Sequence, residues 1–563
     1  MPASTVHLVI IHHGLWGTPA NTEHLTTTLA KHHGGTVSPV TKLTPPESTS
    51  TIAVHAETHP NAQRQDVRMV VLNSEVNSGD HTYDGVDWCG ERLVKDVYRE
   101  VGRIESEEEA EVGKVSLVGY SLGGLVVRYA AGVMYADGFF AGGEKGKGGK
   151  ELEFRSKPVA ASLSTIATPH LGVTLTGSTF SKVAASVGSS NLGRTGKQLY
   201  LADRGWVPPS TSTVKDNGRG EDEGLCLIEA LSDPRFIFIT ALRLFHRIDI
   251  YANAVADLTV SYRTAAFEPH DPFVLPDRLS LVRDPEHPPL LISYSAVTIP
   301  PPNKSSWKQM AAKLSPNNLP WMLNPQRFPF RFPLNYVALV CLPVLLPVMV
   351  GLVLHKLKSD SKVSNKRVEE FERLWADENG LLSSHGVNGG EGEDVDSVAS
   401  SKLKLGRKKD AKSKGAVAKV DSATRSDWER KRVSNFLATV EAEAEEALRE
   451  VGEDFVATNS TTPSPSTTNE EGRYTLKPNT PTRCLSDTNS LPISPDEHPL
   501  LDIQHRIIAN LNNRTLLPQV AKHLAHFDDV LNAHAVIIVR TVTMDMHKKG
   551  IPLIKAFVQR FDL

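Results

Sequence analysis

One serine of this chain stands in a glycine-flanked run, Gly119-Tyr120-Ser121-Leu122-Gly123-Gly124. An apolar, β-rich stretch from Val115 to Val118 precedes it and a helical pattern follows. In that setting Gly-x-Ser-x-Gly forms a strand-to-helix turn that presents a nucleophile. The turn is strained, so residues 119 and 123 have to be small enough not to strike neighbouring backbone. It leaves the Ser121 hydroxyl above the strand ends. It also puts the Leu122 amide at a helix N-terminus, where negative charge developing on a carbonyl oxygen is stabilised. The chemistry is nucleophilic attack on an acyl carbon.

A hydroxyl attacks poorly without a base, and with this kind of turn the acid and the base come later in the chain, in that order. Asp257 follows the apolar run 248–255, and a carboxylate in a loop at a strand's C-terminal end can reach the top of a parallel sheet. His534, close to the C-terminus, is the expected base. The chain has 21 histidines, and His270, His523 and His526 compete for the role. A second donor to the oxyanion should come from the turn after the first central strand. There Ile10-Ile11-His12-His13-Gly14-Leu15-Trp16-Gly17 offers the amide of Leu15.

These residues need a sheet to bring them together. Short apolar runs at 6–12, 68–73, 114–119, 158–166 and 248–255 alternate with helical patterns at 21–33, 88–108, 121–135 and 233–246. That alternation is the mark of βαβ units and a parallel sheet. The fold class is α/β, a doubly wound and mostly parallel sheet of the α/β-hydrolase type with a long insertion before its last strand. Residues 266–330 crowd with prolines and read as an irregular connection holding one or two strands. Near the end, 499–511 and 548–562 read as helices and 535–540 as a strand.

The chain resembles the fungal members of the serine esterase family DUF676, lipases and phospholipases with an α/β-hydrolase fold, lipid-droplet phospholipases among them. The matching residues are His13 to Gly17, Thr82 to Gly85, Gly90 to Leu93, Gly119 to Gly124, Ala167 to Gly172, Arg194 to Leu199, and Tyr251 to Asp257 with Tyr262 to Ala266. A less specific match, Ala533 to Arg540, lies near the C-terminus. The resemblance implies Ser121, Asp257 and His534 as the triad and glycerophospholipids or acylglycerols as substrates. Asp84, Arg92 and His170 fall in these motifs and are read as fixing loops by hydrogen bonds.

The 563 residues exceed what one core usually organises. Charged residues make up 23% and the formal net charge is −3, so no basic field draws the protein onto nucleic acid. The four cysteines, Cys89, Cys226, Cys341 and Cys484, are too scattered for a zinc or redox motif. No cofactor or metal is expected, and reduced thiols fit a cytosolic setting. The first residues lack a basic segment ahead of an apolar one and carry no secretory signal.

Four regions are expected: a hydrolase core over 1–330, a hydrophobic membrane-associating segment over 331–356, a mostly disordered insertion over 357–498 with helices near 362–377 and 428–450, and completion of the core over 499–563. Leu334 to Leu354 carries no charge and has the length of a bilayer span. A single crossing would, however, part His534 from Ser121. Pro343 and Pro347, with basic residues on both flanks, suit a hairpin returning to the cytosolic side of a lipid droplet or endoplasmic reticulum leaflet. An apolar lid is the other reading of this stretch. For the whole chain the alternatives are acyl transfer with the same residues, or a non-catalytic membrane adaptor on a hydrolase scaffold.

Overall fold

The computed structural model describes residues 5–39, 67–142, 154–174, 188–206, 224–275, 278–297, 334–378, 481–487, 490–493, 498–530 and 532–561. The helix expected near 428–450 lies outside them, as does most of the stretch read as disordered.

One ten-stranded sheet organises the described residues. Its strands are β1 (Thr5–His12), β2 (Thr36–Val37), β3 (Val67–Asn73), β4 (Glu111–Tyr120), β5 (Val159–Ile166), β6 (Arg247–Asn253), β7 (Leu279–Arg283), β8 (Leu290–Ala296), β9 (Arg483–Cys484) and β10 (Val520–Ala525). Their order is β2-β3-β1-β4-β5-β6-β10-β8-β7, with β9 beside β8. Pairing is parallel from β2 through β10, and antiparallel where β10 meets β8 and β8 meets β7. Of the one or two strands expected within 266–330, β7 and β8 are present among the described residues.

Side-chain alternation divides the strands between two cores. On β1, Val6, Leu8 and Ile10 enter one core, and Val9 and Ile11 the other. On β3, Val70 and Leu72 part from Met69 and Val71 in the same way. The first core is closed by α2 (Val86–Glu107), α3 (Leu122–Ala136), α5 (Ile237–Leu244) and α7 (Asp502–Leu511). The second is closed by α1 (Glu23–His32) and α8 (Ile551–Gln559). Helices on both faces of a mostly parallel sheet make this an α/β fold. Two further helices, α4 (Gly193–Leu199) and α6 (Leu334–Glu378), lie outside the sheet.

Three expectations need correction. Residues 535–540 are not a strand, because the chain forms a helical turn at Ala533–Val536 and Val539 has φ +54°. Residues 535–539 are buried on every side, and such a short apolar run carries no period to separate strand from buried turn. The last strand is instead β10, whose His523 and Lys522 hide the pattern. The helix expected at 233–246 begins only at Ile237, since the Asp233 carboxylate holds the amide and side chain of Arg235 in a preceding turn. Finally, 334–354 does not fold back within itself: α6 runs on through Pro343 and Pro347. Each proline removes one intrahelical bond without ending the helix. Among the residues whose side chains are described, no helix is long and apolar enough to cross a membrane.

Candidate active site

Ser121 sits between the end of β4 and the start of α3 with φ +55° and ψ −126°, a region that only glycine enters without cost. Packing imposes this conformation. A Cβ at Gly119 would run into the backbone of Gly123 and Gly124, and one at Gly123 into the carbonyls of His12 and His13. The elbow therefore closes against the turn that follows β1, the neighbouring strand. There a Cβ on Gly14 would stand 2.7 Å from that of Ser121.

The Ser121 hydroxyl donates to His534 Nε2 at 3.0 Å, and His534 Nδ1 donates to Asp257 Oδ2 at 3.0 Å. The sequence separations are 413 and 277 residues. Asp257 hangs in the loop after β6 and His534 in the loop after β10, parallel neighbours in the sheet, so both reach the same C-terminal edge as Ser121. The Asn532 side chain caps the His534 turn by accepting the His534 amide at 3.2 Å.

Asp257 is held from four further directions. Its Oδ1 accepts the amides of Thr259 (3.0 Å) and Val260 (2.8 Å) and the Thr259 hydroxyl (3.0 Å), while Oδ2 accepts Asn253 Nδ2 at 2.8 Å. Burial alone would push this carboxyl up. The adjacent His534 and the donated hydrogen bonds outweigh burial and keep it below the ordinary carboxylate value. An ionised carboxylate fixed in this way selects the imidazole tautomer with hydrogen on Nδ1 and a free lone pair toward Ser121.

Leu122 opens α3, where the first amides of a helix have no intrahelical acceptor. Leu15 lies in the turn that packs on Ser121. That turn is fixed from beneath: Arg92 Nε donates to Asn77 Oδ1 (2.8 Å), Asn77 Nδ2 to His12 Nε2 (2.8 Å), and His12 Nδ1 to the His13 carbonyl (2.7 Å). Burial holds His12 well below the ordinary histidine value and brings His13 down to about 4, so both imidazoles are neutral.

The competing histidines are placed elsewhere. His523 pairs with Asp249 at 3.0 Å and stacks on Tyr251; His526 accepts from Arg283 at 3.0 Å; His270 is exposed. Of the motif residues read as structural, His170 lies between Arg128 and Thr165, each at 3.0 Å. Asp84 and Arg92 pair at 2.6 Å. Sequence reasoning passed over Asn253, Asn77 and Tyr120. Asn253, a polar residue ending an apolar strand, carried a faint signal; the other two carried none.

A mostly parallel sheet with helices on both faces defines the class of fold, α/β of the hydrolase type, and its C-terminal edge carries the serine–histidine–aspartate line. Residues 2–268 match the family model described as "Putative serine esterase (DUF676)". Over 200 residues the chain is 28% identical to a protein described as a putative lipase from Schizosaccharomyces pombe, a match covering 36% of this chain and 22% of that relative. The chain thus spans about a fifth of that relative's length. A crystal structure of a Listeria innocua gene product aligns with 46% of this chain and 79% of its own at 12% identity and a TM-score of 0.23, too low a score to bear on the fold.

Proposed function

We propose that the chain hydrolyses acyl esters of lipids, as a lipase or phospholipase acting at the cytosolic face of a membrane or at a lipid-droplet surface. The observation that carries the reading is the unbroken line from Ser121 Oγ through His534 to Asp257. Ser121 attacks the ester carbonyl while His534 takes its proton. His534 then returns that proton to the leaving alcohol, and Asp257 stabilises the imidazolium between the two steps. The amides of Leu15 and Leu122 receive the oxyanion. Water repeats the sequence on the acyl-enzyme and frees the acid. The family description and the lipase-like relative support an ester substrate, and the uncharged run 334–354 supports work at a lipid surface.

The test is lipid profiling of purified protein on a mixed phospholipid and acylglycerol substrate, with fluorophosphonate labelling alongside. Ser121→Ala should abolish both product formation and labelling while the protein stays folded. Undiminished labelling in that variant overturns the assignment.

A further inference from the structure

Helix α6 lies beyond the stretch matched to the family, yet its second half packs on the Gly79–Asp84 turn and on α4. Val368 and Ser364 are buried there, and Phe371 packs on Trp88 with ring centroids 5.6 Å apart. The centre of the contact is Asp84, which is fully buried. Its Oδ1 accepts the Ser364 hydroxyl (2.7 Å) and Arg367 Nη2 (2.8 Å), and its Oδ2 accepts Arg367 Nε (2.8 Å) and Arg92 Nη1 (2.6 Å). Arg367 Nη2 also reaches the Asp80 carbonyl at 3.1 Å.

Two chains of contact lead from Asp84 to the turn that would supply the Leu15 amide. One is the Arg92–Asn77–His12 relay described above, ending on the His13 carbonyl. The other runs through Asp84's own turn, Gly79–Asp84. There Thr82 Oγ1 accepts the Trp16 amide (3.1 Å), the Tyr83 hydroxyl accepts the Trp16 indole (2.7 Å), and the Gly79 amide donates to the Gly17 carbonyl (2.9 Å). Trp16 holds φ +57°, a strained value for a bulky residue that persists only where its surroundings dictate it.

We propose that Arg367 and Ser364 of α6 are positioning residues for the reaction, acting through Asp84 to hold the 13–17 turn, and hence the Leu15 amide, in place for the oxyanion. A buried carboxylate shared by two guanidinium groups needs both: with Arg367 gone, Asp84 keeps one guanidinium and the Ser364 hydroxyl, its turn loosens, and Trp16 loses its template. The same helix opens with the uncharged run 334–354, so one element carries both the lipid-seeking stretch and this brace. The proposal rests on the reading of Ser121 as the nucleophile.

The experiment compares wild type, Arg367→Ala, Arg367→Lys, Ser364→Ala and Ser121→Ala in the full chain on a soluble short-chain ester. Arg367→Ala should lower kcat about 10- to 100-fold with KM changed less than about twofold, the signature of a misplaced group that acts in the transition state. Arg367→Lys, which keeps the charge but not the two-pronged geometry, should recover part of the loss, and Ser364→Ala should show a smaller fall of the same kind. Should Arg367→Ala fail to fold, the lysine and alanine variants at 367 and 364 decide alone. Wild-type kcat in folded Arg367→Lys and Ser364→Ala, with Ser121→Ala inactive, overturns the positioning role only. Full activity in Ser121→Ala overturns the functional reading and this inference with it.

Discussion

The Tyr120 hydroxyl donates to the main-chain carbonyl of His534 at 2.9 Å, joining residues 414 positions apart. Their rings lie 5.1 Å apart. The residue before the proposed nucleophile thus holds the loop that carries the proposed base. Removing that hydroxyl leaves the His534 carbonyl without its donor and lets the loop drift. Tyr120→Phe should therefore cost about 1 kcal/mol of transition-state stabilisation, roughly a fivefold fall in kcat, with little change in KM. Steady-state kinetics on a soluble ester measure it. An unaltered kcat would show that packing alone holds His534.

Ser121 pays for its position in backbone strain. Its φ and ψ belong to glycine's territory, so Ser121→Gly should be inactive yet more stable than Ser121→Ala by about 1 kcal/mol. That figure is the strain relieved less the extra chain entropy of glycine. Denaturant unfolding of the two variants provides the comparison. A glycine variant no more stable than the alanine one would mean the elbow carries no strain.

The stability of the fold should fall with acidification well before the carboxylates titrate. His7, hydrogen-bonded to Ser116 at 2.8 Å, is brought down from 6.5 to about 4, chiefly by burial and then by nearby Lys114. His13 falls to about 4 by burial. The unfolded chain binds protons at these sites below 6.5, while the native protein does not until about 4. Their contribution is therefore complete above 6.5 and is lost as pH falls from there toward 4, at about 1.4 kcal/mol per pH unit for each histidine. Asp257, with its pKa lowered in the native state, adds a separate window: its contribution is present above the ordinary carboxylate value and vanishes as pH falls through the native one. Unfolding midpoints in guanidinium chloride at several pH values should trace the first decline, and His7→Gln should flatten it. A wild-type curve level between 6.5 and 4 would contradict the burial argument.

What the sequence by itself determined is local. Glycines at 119 and 123 around Ser121, between a strand-like and a helix-like run, specify the elbow, because only residues without a Cβ fit where so tight a turn brings backbone together. Short, nearly continuous apolar runs specify β1, β3, β4, β5 and β6, because successive residues of a strand must feed cores on opposite faces of the sheet. Asp257 and His534 were legible as candidates by their order in the chain, although the strand assigned beside His534 was in fact a buried turn.

Which histidine meets Ser121 was decided only by the tertiary structure, since parallel pairing of β6 with β10 sets two loops side by side that are 277 residues apart in sequence. The place of α6 was settled in the same way. Arg367 and Asp84, 283 positions apart, carry no common pattern; a buried carboxylate's need for paired charge, together with the packing of Val368 and Phe371, holds that helix on the 79–84 turn.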